Sequence, residues 1–343
     1  MLDSTCIQFH EFGDPQKVLQ VIRKQIEPPA SGEMLVQMLH SPINPSDLLP
    51  IRGAYSHRIP LPSTPGYEGV GVVVDVGSSV SKQWIGRRVL PLRGEGTWQE
   101  FVKTSAEWAV PVPDFVDDSI AAQLYINPLT AWILCTEVLA LQPDDVLIVN
   151  AGGSAIGRIF AQLAKILGYK LIALTRNDTY TEELLQLGAA HVINTAELPV
   201  LSIVMDVTHG KGAKEVIDSI GGQAGSDLAS LVQPGGNVVT IGLLSGQPVN
   251  WAEVTRSTGV HVKLFHLRHW NQQISVQKWQ DTFQVLMGLV QEQRLTIRTP
   301  DAYFGLEQVG EAVRIAESSR RNTGKVFLTS SFFHLHPEHP FVQ

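Results

Sequence analysis

A two-domain α/β protein is what the sequence predicts: a doubly wound parallel sheet in the middle of the chain, with a mostly antiparallel β domain before it. Three observations carry that prediction. Asp145–Asp178 reads without a break as strand, glycine turn, helix and strand. Beyond it, short apolar runs alternate with stretches of helical period as far as about residue 293. Residues 1 to about 120 lack that alternation and show short apolar runs broken by Gly, Pro and Asp, as small antiparallel β domains do.

In the central unit, Val146–Asn150 is an apolar run of the kind buried in a parallel sheet, and Ala151-Gly152-Gly153-Ser154-Ala155-Ile156-Gly157 follows at once. Gly152 and Gly153 are read as residues free to take backbone angles that a side chain forbids, which lets a pyrophosphate approach the main chain. Gly157 lets the helix sit close on the sheet. Amides at the helix start then face the anion. Ile159, Phe160, Leu163, Ile166 and Leu167 recur on one helical face, Gly168 stands where a C-terminal glycine cap belongs, and Lys170–Thr175 is the second strand. Arg176 falls about 20 residues past the turn, where an NAD-preferring chain carries Asp or Glu for the ribose hydroxyls. A guanidinium there favours NADP, whose 2′-phosphate it can pair.

The rest of the chain is read in order. The N-terminal runs are Val18–Ile22, Met34–Met38, Gly69–Val76, Arg88–Leu90, Phe101–Val102 and Trp108–Val112. After the central unit come a helix over Glu182–Leu187 ending at Gly188, strands over His191–Ile193 and Glu215–Ile220, a short helix over Asp227–Val232, and strands over Asn237–Ile241 and His261–Phe265, which complete six. Gln277–Gln293 is an amphipathic helix. The expected domains are 1–123, 124–298 and a return to the first domain over 299–343. A site between domains, at the carboxyl ends of the strands, is the expectation for such a sheet.

Composition narrows the function. With 44% hydrophobic residues the chain can bury a sizeable core. No apolar run reaches the roughly 18 residues of a membrane span. Asp3 and His10 stand where a signal peptide needs a basic start and an apolar core, so a cytoplasmic location is expected. Net charge is −7 and the basic residues are scattered, which argues against nucleic acid as a partner. The two cysteines, Cys6 and Cys135, are too few for a disulfide framework or a four-thiolate zinc. Ser331–Gln343, with His334, His336 and His339, reads as a polar tail, with metal binding by those histidines as the alternative.

Two N-terminal stretches, Ser41–Tyr55 (SPINPSDLLPIRGAY) and Pro65–Gly71 (PGYEGVG), together with the dinucleotide unit, resemble the medium-chain dehydrogenase/reductase superfamily over nearly the whole chain. The resemblance implies a GroES-like catalytic domain beside a Rossmann domain. The zinc alcohol dehydrogenases of that superfamily carry a Cys within the stretch that is Ile43-Asn44-Pro45-Ser46-Asp47 here, and a His where Tyr67 precedes Glu68. Neither donor is present, so no catalytic zinc is expected. Among zinc-free branches the chain most resembles the mitochondrial-type trans-2-enoyl thioester reductases. The matching stretches are Ile43–Asp47, Arg52–Tyr55, Gly96–Trp98, Ile126–Trp132, Phe265–Trp270 and Lys325. Quinone oxidoreductases share the fold and part of these motifs.

The resemblance implies Tyr55 as proton donor and Asn44, Asn127 and Lys325 as cofactor contacts. It places Gly152, Gly153, Ser154, Ala155, Ile156 and Gly157 at the pyrophosphate and Arg176, Asn177 and Asp178 at the 2′-phosphate. Ile241, Gly242, Leu243 and Leu244 would form the loop past the nicotinamide, with Phe265, His266 and Leu267 beyond it. Asp178 is an acid at a phosphate site, Leu243 replaces a usual glycine, and AGGSAIG differs from the family's NSGVG. Plainer readings stand beside these: Tyr55 as a packed loop residue, Glu68 paired with a nearby base, Asn127 capping a helix that Pro128 starts, and Trp98 and Trp132 as core or pocket wall.

Without zinc to polarise an alcohol or ketone, an activated alkene suits such a site. NADPH supplies a hydride to the β-carbon, and a phenol, protonated at neutral pH, can give the α-carbon its proton. The expected activity is NADPH-dependent reduction of a 2-enoyl thioester, on CoA or a carrier protein. A quinone, enone or alkenal reductase is the alternative, and a non-catalytic nucleotide-binding protein a third reading. The resemblance further implies a homodimer joined at His261–Phe265, and the lack of a spanning apolar run leaves no membrane partner expected.

Overall fold

The computed structural model describes residues 2–318 and 324–330; the histidine-bearing tail lies outside them. The chain forms two compact units, one of Met1–Ile126, Ser275–Gln291 and Thr296–Gln343, the other of Asn127–Ile274 and Glu292–Leu295. Strands of the first unit are β1 (Leu2–Phe9), β2 (Leu19–Ile26), β3 (Glu33–Pro42), β4 (Val70–Val76), β5 (Arg88–Leu90), β6 (Phe101–Ser105) and β7 (Val110–Pro111). The second unit holds β8 (Val146–Val149), β9 (Lys170–Thr175), β10 (His191–Asn194), β11 (Ala213–Asp218), β12 (Val232–Thr240) and β13 (His261–Leu264). The chain then returns to the first with β14 (Pro300–Gly305) and β15 (Lys325–Thr329).

In the first unit β3 is the hub. It pairs antiparallel with β4 along one edge, and with β6 and β15 at the two ends of the other. Its alternating Met34, Val36 and Met38 meet Val73, Val89 and Val102 in one buried cluster, as period-2 side chains on a half-buried strand should. Differences from the sequence expectation include two at the start of the chain. β1 was not anticipated, because Ser4, Thr5 and Gln8 interrupt its apolar pattern, yet Cys6, Ile7 and Phe9 are buried and the strand pairs antiparallel with β2. Val18 ends a one-turn helix, Pro15–Val18, capped by the Asp14 side chain, so the expected run from Val18 begins as helix.

The second unit is a six-stranded parallel sheet in the order β10-β9-β8-β11-β12-β13. The order reverses between β8 and β11, and that reversal defines the crevice at the carboxyl ends of those strands. Ile148, Ile172, Leu174, Ile193 and Val216 form its central core. The helix Ala155–Leu167 is closed by Gly168 at φ 85°, as expected of a left-handed cap. The short helix expected at Asp227–Val232 is a 3₁₀ turn, Leu228–Leu231, which follows a helix at Gly222–Asp227.

The helix Val276–Gln291, expected with the dinucleotide unit, belongs to the first unit. The reason is aromatic. Trp279 is fully buried, donates from Nε1 to the Trp108 carbonyl at 3.0 Å, and packs edge-on against the Trp108 ring with centroids 5.9 Å apart. Gln280 adds bonds to the carbonyls of Glu107 and Ala109. Among the described residues no helix is long and apolar enough to cross a membrane.

Candidate active site

In the second unit the glycine turn follows β8 as expected, for partly different reasons. Neither Gly152 nor Gly153 takes a left-handed angle; Ala151 does, at φ 51°. The glycines are required by close approach instead. A Cβ on Gly152 would stand 2.9 Å from the Ala173 methyl, and one on Gly153 would stand 2.4 Å from the Tyr180 ring. At Gly157 it would stand 2.2 Å from the Gly152 carbonyl oxygen, so the helix is pressed against the turn itself. Ser154 caps that helix by accepting from the Gly157 amide at 3.2 Å. Gly153, Ser154, Ala155 and Ile156 are part-exposed while Gly152 and Gly157 are buried. Helix N-termini leave first-turn amides without intrahelical partners, and an anion site uses such amides where the turn is exposed, as at Gly153–Ile156.

Arg158, which the sequence reading passed over, braces this turn from inside the protein. It is 4% exposed, donates to the Gly153 carbonyl, forms a two-pronged pair with Glu183 (Nε to Oε1 2.7 Å), and lies 4.5 Å from the Tyr180 ring centroid. A cation in the middle of a helical pattern reads as surface. Only the folded chain shows where it goes.

Arg176 is exposed directly after β9, whose Leu174 carbonyl accepts the Gly152 amide at 2.9 Å. Asn177 caps the next 3₁₀ turn by accepting from the Thr179 amide at 3.1 Å. The Asp178 carboxylate is engaged by the protein, accepting from Asn194 Nδ2 at 3.0 Å and from the Thr181 hydroxyl at 3.5 Å.

A buried network joins the other strand ends. Asn150 donates to Asp218 at 2.6 Å and accepts from the Ser219 amide at 2.7 Å, and Asp218 also takes the amides of Ile220 and Gly221. The loop after β12 hangs from this turn: Leu244 donates to the Ser219 carbonyl, and a Cβ on Gly242 would stand 2.8 Å from that same oxygen. Beside it, Phe265 donates to the Thr240 carbonyl, and His266 caps the helix Leu267–Gln273. The structure thus brings Gly152–Gly157, Ile241–Leu244 and Phe265–Leu267 to the same end of the sheet. Leu243 and Leu244 are exposed. Asn127 is half-buried inside a wide π-helical turn, Tyr125–Leu129, that runs into Thr130–Ile133, so it does not cap a helix begun by Pro128.

In the first unit, Asn44 is the N-cap of the helix Pro45–Ile51 and closes a capping box with Asp47. It donates from Nδ2 to Glu68 at 2.7 Å, and its Oδ1 accepts from Lys325. Glu68 also takes the Ile126 amide at 2.7 Å, and Asp47 takes the amides of Asn44 and Tyr67. Burial pushes Glu68 up to about 7, against the pull of Lys325 and its donors, and Asp47 up to about 6. Burial lowers Lys325, while the two carboxylates raise it. Glu68 is therefore the paired carboxylate of the plainer reading, with Asn44 bridging it to the base. Losing one member of such a buried set costs about 3–5 kcal/mol.

Tyr55 follows this helix at φ 68°, with the Arg58 guanidinium 4.0 Å from its ring centroid. It is 37% exposed. The guanidinium lies over the face of the ring, a cation–π contact. Trp98 is fully buried core.

The two positions at which the zinc alcohol dehydrogenases carry donors are otherwise engaged or chemically unsuited here. Asn44 spends both ends of its amide on Glu68 and Lys325, Tyr67 is exposed, and the ammonium of Lys325 opposes a second cation. Among the described residues no group of three or more His, Cys, Asp or Glu could hold a metal. Purified protein is expected to carry no stoichiometric zinc by plasma mass spectrometry and to keep its activity through chelation. One zinc per chain that activity requires would overturn this reading.

A parallel sheet with a braced glycine turn at its reversal point is the arrangement of dinucleotide-binding α/β proteins, and comparison with known proteins makes the class more specific. Residues 30–114 match the alcohol dehydrogenase GroES-like domain and residues 155–287 the zinc-binding dehydrogenase family. The mitochondrial enoyl-[acyl-carrier-protein] reductase of Rattus norvegicus is 34% identical over 294 residues, 83% of this chain and 78% of the relative. A Bacillus thuringiensis protein provisionally named an NADPH:quinone reductase superposes with TM-score 0.94 at 57% identity, covering 96% of this chain and 100% of its own. The Escherichia coli quinone oxidoreductase complexed with NADPH superposes with TM-score 0.85 at 27% identity, covering 95% and 99%. The chain belongs to the medium-chain dehydrogenase/reductase superfamily and is an oxidoreductase of it.

Proposed function

We propose that the protein reduces the activated C=C bond of a 2-enoyl thioester with NADPH. The observation that carries this is Tyr55, presented on a left-handed turn with the Arg58 guanidinium 4.0 Å from its ring centroid. The dinucleotide supplies a hydride to the β-carbon. Tyr55 donates the proton to the α-carbon. Gly152, Gly153, Ser154, Ala155, Ile156 and Gly157 bind the pyrophosphate, and Arg176 with Asn177 binds the 2′-phosphate, leaving Asp178 to fix the turn. In the second unit Asn127, Ile241–Leu244 and Phe265–Leu267 hold the nicotinamide end; in the first, Lys325 is the cofactor contact, and Asn44, whose amide ends go to Glu68 and Lys325, acts through it. The 34% likeness to enoyl-[acyl-carrier-protein] reductases supports the thioester.

A second reading, a quinone or alkenal reductase, is favoured by the 57% identity to the Bacillus protein. Initial rates of NADPH oxidation with crotonyl-CoA, 2-alkenals and quinones separate the two. A higher kcat/KM for crotonyl-CoA is expected. Turnover of quinones alone would replace the substrate, and no turnover with any of them would leave a nucleotide-binding protein.

The same reading includes a cytoplasmic homodimer. β13 is the terminal strand of its sheet, with His261, Lys263 and Leu264 exposed, an edge that a second copy can extend.

A further inference from the structure

The cluster around Glu68 is a chain of hydrogen bonds whose direction is fixed at every link. The Ile126 amide and Asn44 Nδ2 both donate to Glu68, each at 2.7 Å. Asn44 therefore turns its oxygen to the other side, where the Lys325 ammonium donates to it. A primary amide has a donor end and an acceptor end, so what Glu68 accepts decides what Lys325 meets. Asp47 cannot take this part, because it is bonded to the amides of Asn44 and Tyr67 and closes the capping box. The charged groups facing Glu68 are Lys325 and Asp47.

We propose that Glu68 is a positioning residue: as a carboxylate taking two donors, it sets the direction of the Asn44 amide and so the place and charge of the Lys325 ammonium. The proposal rests on the reading that Lys325 holds the cofactor, with Asn44 acting through it. Nothing in the sequence pairs Asn44 with Lys325, since 281 positions separate the two.

Glu68→Gln tests it with almost no change in shape. The new side chain has one acceptor and one donor end, so it cannot take both the Ile126 amide and Asn44 Nδ2. The Asn44 amide must turn over and present a donor to an ammonium. Adding Asn44→Asp restores every link. The amide at position 68 then donates to the carboxylate at position 44, which also accepts from Lys325, while its oxygen keeps the Ile126 amide. Asp caps a helix as well as Asn does.

NADPH Kd is read by fluorescence at pH 8, with kcat and KM alongside. The single variant should bind about 10-fold or more weakly, the loss of one hydrogen bond to a charged group, and the double variant should return to within about threefold of wild type. The change should fall on KM for NADPH rather than on kcat. A single variant within about threefold of wild type, or a double variant no better than the single one, overturns the proposal. Melting temperatures should follow the same order, wild type above single with the double recovering. If the single variant fails to fold, a double variant that folds and binds supports the proposal and one that does not sinks it. Should wild type bind no nicotinamide nucleotide, the enzymatic reading falls, and the order of melting temperatures still decides whether Glu68 directs the amide.

Discussion

Arg176→Ala should raise the Kd for NADPH by about 10- to 100-fold and leave that for NADH within about threefold, because only NADPH carries the 2′-phosphate. A hydrogen bond to a charged group is worth about 1.5–3 kcal/mol, and a guanidinium on a phosphate is among the stronger of these. Arg176 is exposed, so salt screening places the effect toward the lower end near physiological ionic strength, and the selectivity should fall further as salt rises. Asp178 is the residue that could reverse the preference, since a carboxylate suits the two ribose hydroxyls of NAD. Its oxygens are already engaged by Asn194 and Thr181. Fluorescence titrations of both dinucleotides against wild type and variant provide the check. Equal weakening for the two cofactors, or a wild-type preference for NADH, would move the selection from Arg176 to Asp178 or another group.

The parts of this molecule that could be read from sequence are the local ones. The run from β8 through the glycine turn to β9 is contiguous, and its period changes from buried run to helix and back within 34 residues, Asp145 to Asp178. Gly168 announced the helix end for the same reason, since the left-handed cap is a property of one residue. Why the turn needs its glycines was not legible. The atoms that exclude a Cβ belong to Ala173, Tyr180 and the turn's own Gly152, and two of those three come from other elements. The amphipathic pattern of Val276–Gln291 shows that one face is buried, but not against which partner. The Trp108 carbonyl, 171 residues away, settles that.

Buried polar groups were the hardest to foresee. Asn150 and Asp218 each look like a strand terminus, and their bond spans 68 positions. Glu68 could be suspected of pairing with a base, yet the base arrives on β15, after the whole second unit has intervened. A motif such as INPSD states residue types. What those residues accept and donate depends on chain segments that no local window contains.

Tyr55→Phe should lower kcat for an enoyl thioester by about 10²–10⁴, the usual contribution of a general acid, or about 3–5 kcal/mol of barrier. The substitution removes one oxygen and keeps the ring, so the cation–π contact with Arg58 and the left-handed turn should persist and the melting temperature should stay near wild type. NADPH affinity should be unchanged, and the loss should appear in kcat and kcat/KM together, the pattern of an interaction made only in the transition state. Quinones provide an internal control. Their oxygens exchange protons rapidly with water, whereas an α-carbon needs a positioned donor, so quinone reduction should fall much less than thioester reduction in the same variant. Stopped-flow hydride transfer with crotonyl-CoA and with a quinone, on both proteins, gives the comparison. A variant that reduces crotonyl-CoA within about threefold of wild type, far below the range for a general acid, would make Tyr55 a bystander and assign the proton to water or a ribose hydroxyl.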